Sequence, residues 1–206
     1  MRAASLAAMA VSLVAWSGLI LQLFILADVL GPATAGWRFL GYFTILSNIG
    51  IALVASAIAF GMNNRLAGPR ARLLGLTAIV TVGIVYSLLL RSHWSPQGLQ
   101  KLADLALHDV TPILFAALWL LMPHGKLHWS DLKWALAPPA LYLAYALARG
   151  TIDGWYAYWF LNPATQSVAE LAVSIVSVLA LFTVVAACAI AIDRWMGRRA
   201  RLAEAG

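Results

Sequence analysis

The feature that most constrains this chain is a succession of apolar runs about 20 residues long, the length of helix that crosses a hydrocarbon core about 30 Å thick. In a bilayer such a run has no water to satisfy its backbone, so it must close its hydrogen bonds within itself as a helix. The pattern predicts six spans, at about residues 6–30, 39–61, 73–90, 102–122, 132–148 and 169–192. Turn-forming pairs separate them: Gly31-Pro32, Asn63-Asn64 with Gly68-Pro69, Ser95-Pro96, Pro123 with Gly125, and Asn162-Pro163. The expected fold is all-α, one domain over 1–206 forming a six-helix transmembrane bundle. The fifth span carries Pro138-Pro139, which removes backbone donors and favours a kink. The N-terminus imitates a secretory signal, but its apolar character runs on to Leu30, past a signal core of about 7–15 residues. The expectation is a retained first span.

Composition supports a membrane protein: 63% of residues are hydrophobic and 11% charged, against about 45–50% and about a quarter in soluble domains. The net charge of +6 raises nucleic acid as a partner. No basic run interleaved with aromatics supports it, and basic loops in such a protein report topology and anionic headgroups. Cys188 is the single cysteine, which excludes an intrachain disulfide and a multi-cysteine metal site.

Positive charge sets the expected orientation. Arg2, Arg65, Arg70, Arg72, Lys126, Lys133, Arg194, Arg198, Arg199 and Arg201 fall on one side of a six-span chain, and Arg38, Arg91, Lys101 and Arg149 on the other. The positive-inside rule then places both termini in the cytoplasm, in what would be a bacterial inner membrane.

Polar residues collect toward the predicted outer side: Asp28, Thr44, Ser47, Asn48, Arg91, His93, Asp104, His108, Asp109 and Arg149. Snorkelling at helix ends accounts for Arg91 and Arg149. It accounts less well for Thr44, Asn48 and His108, expected one to two turns inside, and ionisable groups within spans usually face a wet cavity. Thr44, Ser47 and Asn48 share a helix face at i, i+3 and i+4. At about 1.5 Å per residue, Thr44 would lie about 7 Å below a helix start near Phe39, and His108 about 9 Å below one near Leu102. Similar depth is what a nucleophile–base pair requires. The plainer reading of Thr44 is a hydroxyl bonded to its own i−4 carbonyl, or a small residue packed at a helix interface. Asp104 precedes His108 by four residues and is placed to hold its imidazole. His93, His108, Asp104 and Asp109 could alternatively ligate a metal, but no paired-histidine or HExxH spacing supports this, and no metal or cofactor is expected. In the fifth loop, Trp155, Tyr156, Tyr158, Trp159 and Phe160 form either an interfacial aromatic belt or a lid over an outer chamber.

Three segments in this order carry a resemblance: Tyr42-Phe43-Thr44-Ile45-Leu46-Ser47-Asn48, Leu107-His108-Asp109 followed by Pro112, and the run from Arg149 to Leu161. Together they resemble the bacterial Pr6Pr membrane proteins, relatives of the androgen-induced (FAR-17a/AIG-like) proteins of animals, over nearly the whole chain. The resemblance implies an intramembrane threonine hydrolase that cleaves fatty acid esters of hydroxy fatty acids or a similar lipid ester. It implies Thr44 as nucleophile and His108 as the catalytic histidine. The family's aromatic segment usually reads Tyr-Pro-Phe; Tyr158-Trp159-Phe160 lacks the proline, which leaves the loop's shape and the fit of a particular substrate open. With those roles assigned, Asn48, one turn from Thr44, is the first candidate oxyanion donor, with Arg91 and His93 as second choices. Asp104, Asp109, Arg149, Trp155 and Tyr158 complete the expected substrate-binding set. The rival readings are a lipid- or small-molecule-binding protein and a proton-linked transporter. Transport predicts a polar path through to the cytoplasmic side, whereas these polar groups stop near mid-membrane.

Overall fold

The computed structural model describes residues 2–205, which form helices joined by short turns, with no strand among them. The side chain of Arg2, part of the charge balance above, lies outside the described residues. The α-helices are α1 (Arg2–Leu30), α2 (Pro32–Phe39), α3 (Phe43–Ala59), α4 (Pro69–Val85), α5 (Gly98–Leu105), α6 (Thr111–Leu121), α7 (Leu132–Asp153) and α8 (Val168–Ala205).

Four stretches are long and apolar enough to cross a membrane: Ala3–Leu30, Pro69–His93, Gly98–Leu121 and Val168–Glu204. A fifth is reached when α2 and α3, bent by 81° at their junction, count as one broken span. The expected span at 132–148 lies within α7, whose 22 residues include Lys133, Arg149 and two prolines. Those residues lower its apolar character, which is why length alone does not place it with the others. Pro138 and Pro139 leave the carbonyls of Trp134 and Ala135 without their usual donors, yet the helix runs on to a left-handed cap at Gly154.

Packing follows periodicity. Ala8, Val11, Ala15 and Leu19 of α1 recur at steps of three and four and are buried. They face Ile51, Ala52 and Ala55 of α3, while Leu6, Leu13, Ile20 and Phe24 remain exposed on the rest of α1. Small residues let the two backbones approach, the packing that serves where lipid removes the hydrophobic drive between helices. Ser12 and Ser56 hydroxyls meet across this seam at 2.8 Å. Helix α4 is central, packed against α3, α6, α7 and α8.

The end opposite the polar cavity is tied by two buried carboxylates. Asp193 of α8 accepts the Gly125 and Leu127 N–H groups at 3.0 and 2.9 Å and lies 3.1 Å from His124 Nδ1. Asp131 accepts from Arg70 Nε at 2.7 Å and the His128 N–H at 2.9 Å. Burial works against the Asp131 charge, but those donors hold its carboxyl below the usual carboxylate range.

Three departures from regular helix shape the other end. At the α2–α3 junction Tyr42 is extended, with φ −92° and ψ 129°. Gly41 is required there, because a Cβ would meet the Trp155 ring at 2.6 Å and the Arg38 carbonyl at 3.0 Å. The expected second span, 39–61, is therefore broken, and Thr44 sits in the first turn of α3 rather than well inside a longer helix. Beyond α4, the segment Tyr86–Leu90 forms a wide turn closed by the Arg91 N–H on the Tyr86 carbonyl, an i→i+5 bond. Between α5 and α6, Ala106–Val110 forms a second one, closed by the Thr111 N–H on the Ala106 carbonyl. Pro112 helps cause it, since it cannot donate to the His108 carbonyl four residues back.

Candidate functional site

The irregular segments enclose a cavity of about 380 Å³. Its wall is built from Gln22 and Leu26 of α1, Tyr42, Thr44 and Ile45 at the head of α3, and Tyr86 and Leu90 of the first wide turn. His93 and Trp94, Gln100 and Asp104 of α5, Leu107 and His108 of the second wide turn, and Ala157 and Tyr158 complete it.

Thr44 is buried and occupies the second position of α3, where backbone N–H groups lack intrahelical partners. Its N–H donates to the Tyr158 hydroxyl at 3.3 Å, and its own hydroxyl lies 3.4 Å from the same oxygen. Thr44 thus bonds across to another segment, whereas its neighbours Ser47 and Asn48 bond back to carbonyls of their own helix. Ser47 Oγ lies 2.9 and 3.0 Å from the Phe43 and Thr44 carbonyls. Asn48 is fully buried and spends its amide hydrogens on the carbonyls of Thr44, at 2.8 Å, and Leu107, at 3.2 Å. It pins α3 to the wide turn that carries His108. As placed, it has no N–H left for an oxyanion.

His108 belongs to a compact network. Its Nδ1 lies 3.2 Å from both the carbonyl and the Oδ1 of Asp104. Tyr86 donates its hydroxyl to Oδ2 of the same carboxylate, and its ring stacks on the imidazole at 4.0 Å between centroids and 16° between planes. With Nδ1 hydrogen-bonded to acceptors, the neutral ring keeps its free lone pair on Nε2. Arg91 pairs with Asp109, and its guanidinium lies 5.0 Å from the Tyr86 ring centre. Among the described residues no direct hydrogen bond joins Thr44 to His108; each lines the cavity with different partners.

The structure thus gathers Thr44, His108, Asp104, His93 and Tyr158 in one cavity. Arg91 buttresses it, and Asp109 lies on the far side of His108, in a groove between α4 and α6. Arg149 is elsewhere. It is buried, reaches the Trp37 carbonyl and the Tyr145 hydroxyl, and lies 3.8 Å from the Trp37 ring centre. This fixes α2 across the top of α7. Trp155 packs edge-on against Tyr42 at 5.3 Å and supports the wall from behind. No group of three or more His, Cys, Asp or Glu residues able to hold a metal ion occurs among the described residues.

Tyr86 and the Gln22–Gln100 pair, joined at 2.8 Å, are site residues that the sequence patterns above do not single out. A glutamine in each of two apolar segments was a usable signal. Tyr86 was hidden because it precedes Arg91 by five residues, a spacing that shares a face only across a wide turn.

Fold and site together define an all-helical protein with four or five apolar helices that could cross a membrane and a polar cavity at one end of its bundle. No family model matches the chain, and no match was found among curated proteins or solved structures.

Proposed function

We propose that this protein is an intramembrane threonine hydrolase acting on a lipid ester, such as a fatty acid ester of a hydroxy fatty acid. The observation that carries the reading is the convergence on one cavity of a helix-head threonine and a histidine whose Nδ1 is held by Asp104. The three-segment resemblance to Pr6Pr and androgen-induced proteins supports the same pair. In the mechanism, an ester carbonyl enters between the two side chains. Thr44 Oγ attacks it while His108 Nε2 takes the proton. The candidate donors to an oxyanion beside Thr44 are the Tyr158 hydroxyl and the N–H groups at the head of α3, of which the Thr44 N–H donates to Tyr158 in this structure, and the helix dipole favours negative charge there. His108 returns the proton to the leaving alcohol, and water then hydrolyses the acyl-threonine by the same route.

The same reading places six spans across a bacterial inner membrane, both termini cytoplasmic and the cavity toward the outer leaflet. Helix α7, at about 1.5 Å per residue over its 22 residues, is long enough to cross a core of about 30 Å. A non-catalytic lipid-binding protein is the alternative, favoured by the missing Thr44–His108 hydrogen bond.

Labelling with a fluorophosphonate or β-lactone probe separates the two. Wild type should label at Thr44, with Thr44→Ala unlabelled and His108→Ala strongly slowed. Equal labelling of all three, or none of the folded wild type, overturns the hydrolase.

A further inference from the structure

Next to the polar cavity lies a narrower hollow of about 50 Å³, between α4, α7 and α8. The two share Thr44, Tyr86, Leu90 and Tyr158, so they meet at the proposed nucleophile. Their remaining walls differ in kind. The larger cavity has Gln22, His93, Gln100, Asp104 and His108. The slot has Val82, Val85, Leu143, Phe160, Val178 and Phe182. His108 lines the cavity and not the slot.

That asymmetry fixes which way round an ester must lie. Two groups have to visit His108 in turn: the leaving oxygen, which takes up a proton, and the water, which gives one up. The alkyl chain of the acyl group needs neither. We infer that the slot is the acyl-chain subsite of this enzyme and that the polar cavity holds the alcohol half, an inference that rests on the hydrolase reading. In the first half-reaction the Thr44 Oγ–carbonyl carbon bond forms as the Thr44 proton passes to His108. The carbonyl carbon–alkoxy bond then breaks, and the alkoxy oxygen takes that proton and departs into the polar cavity. Water enters the vacated position, gives one proton to His108 and its hydroxyl to the acyl carbon. The acyl carbon–Thr44 Oγ bond then breaks as His108 returns that proton to Thr44 Oγ, and a carboxylic acid is released from the slot.

Size narrows the class of acyl group. A water-sized sphere needs about 10–15 Å³ of such space, so the slot accepts about four in file. That suits a single unbranched chain of short to medium length.

The test uses the purified full chain in detergent and 4-nitrophenyl esters of straight acyl chains from two to ten carbons. For wild type, each added methylene should raise kcat/KM about fourfold until the slot is full. Val178→Phe and Val85→Phe should move the optimum to shorter chains, losing tenfold or more on the longer esters relative to the acetate ester. Leu143→Ala should move it to longer chains. A second measurement does not depend on turnover: a fatty acid with a terminal diazirine, photolysed on the folded chain, should crosslink α4, α7 or α8 at the slot. Unchanged chain-length profiles in variants that still label at Thr44, or crosslinks confined to the polar cavity or the lipid-facing side of α1, overturn the inference. Slot crosslinks without any Thr44-dependent hydrolysis would instead overturn the hydrolase reading and leave a lipid-tail site.

Discussion

Replacing Asp104 with asparagine tests the core of the site, because one carboxylate there serves two donors. The Tyr86 hydroxyl uses Oδ2 and His108 Nδ1 approaches Oδ1 at 3.2 Å. Asparagine has the same shape but a single acceptor oxygen. When that oxygen serves Tyr86, the amide hydrogens face His108 Nδ1, and the imidazole answers by moving its own proton to Nε2. The nitrogen that would accept the Thr44 proton in the proposed mechanism is then already protonated. In serine-protease triads the equivalent change costs about 10⁴ in kcat. Here the Asp104 carbonyl, also 3.2 Å from Nδ1 and unaffected by the substitution, still favours the working tautomer. The expected loss is therefore smaller, about 10²–10³, or about 2.7–4 kcal/mol of barrier. Probe-labelling rate and ester hydrolysis of Asp104→Asn against wild type supply the measurement, with thermal unfolding as the control for folding. A folded Asp104→Asn protein that labels and turns over at the wild-type rate refutes the proton path through His108.

Asn48→Ala removes two bonds between α3 and the His108 turn and should lower stability by about 1–3 kcal/mol, with kcat falling less than tenfold; a kcat loss of 10²–10³ at unchanged melting temperature would restore Asn48 as an oxyanion donor. Arg149→Ala should lower the melting temperature yet leave Thr44 labelling of the folded fraction intact, because the guanidinium ties Trp37 and Tyr145 and does not line the cavity. Gly41→Ala should slow labelling by moving Trp155, and Gly41→Ala with Trp155→Leu should recover part of it, since the added Cβ meets that ring. The Asp153 carboxyl, beyond the expected fifth span, is held below its usual range by the Trp37 indole N–H, then by the Trp155 N–H and the Arg38 guanidinium. A depressed folded-state value means this tie is present above about pH 4 and lost as pH falls through the lower folded value. An acid step in tryptophan fluorescence should appear in wild type and be missing from Asp153→Asn.

The helical architecture was legible because a 20-residue apolar run is a local property, decided by composition and period before any partner is known. The polar residues were legible for a related reason: a group such as His108 or Asp104 in an apolar run is costly enough to announce a cavity. What the pattern could not place was everything set by contact between distant segments. At the 81° bend before Thr44, Trp155, 114 positions along the chain, lies where a Cβ on Gly41 would be, a contact that no local pattern shows. Arg149 reads from sequence as a snorkelling outer residue or part of the substrate-binding set, and the structure encloses it between Trp37 and Tyr145. The depth comparison brought Thr44 and His108 together through helix starts at Phe39 and Leu102, whereas α3 starts at Phe43 and α5 at Gly98.

These displacements share a cause that also locates the site. Thr44 follows a bend, Tyr86 and His108 sit in i→i+5 turns, and Tyr158 lies in a non-helical loop. Backbone that departs from the helix is tolerated at membrane depth only where protein or a cavity satisfies it. Each break therefore needs the cavity, and each uses the freed geometry to aim a side chain that a regular helix would turn aside. A regular α-turn would place Arg91 about 140° around the helix from Tyr86, at about 100° per residue, and Arg91 would then lose its place above the Tyr86 ring. The wide turn gives that position back, and with it the Tyr86–Asp104–His108 arrangement keeps its cap of positive charge. An assignment built on ideal helices finds these residues one at a time; only the irregular turns make them a single site.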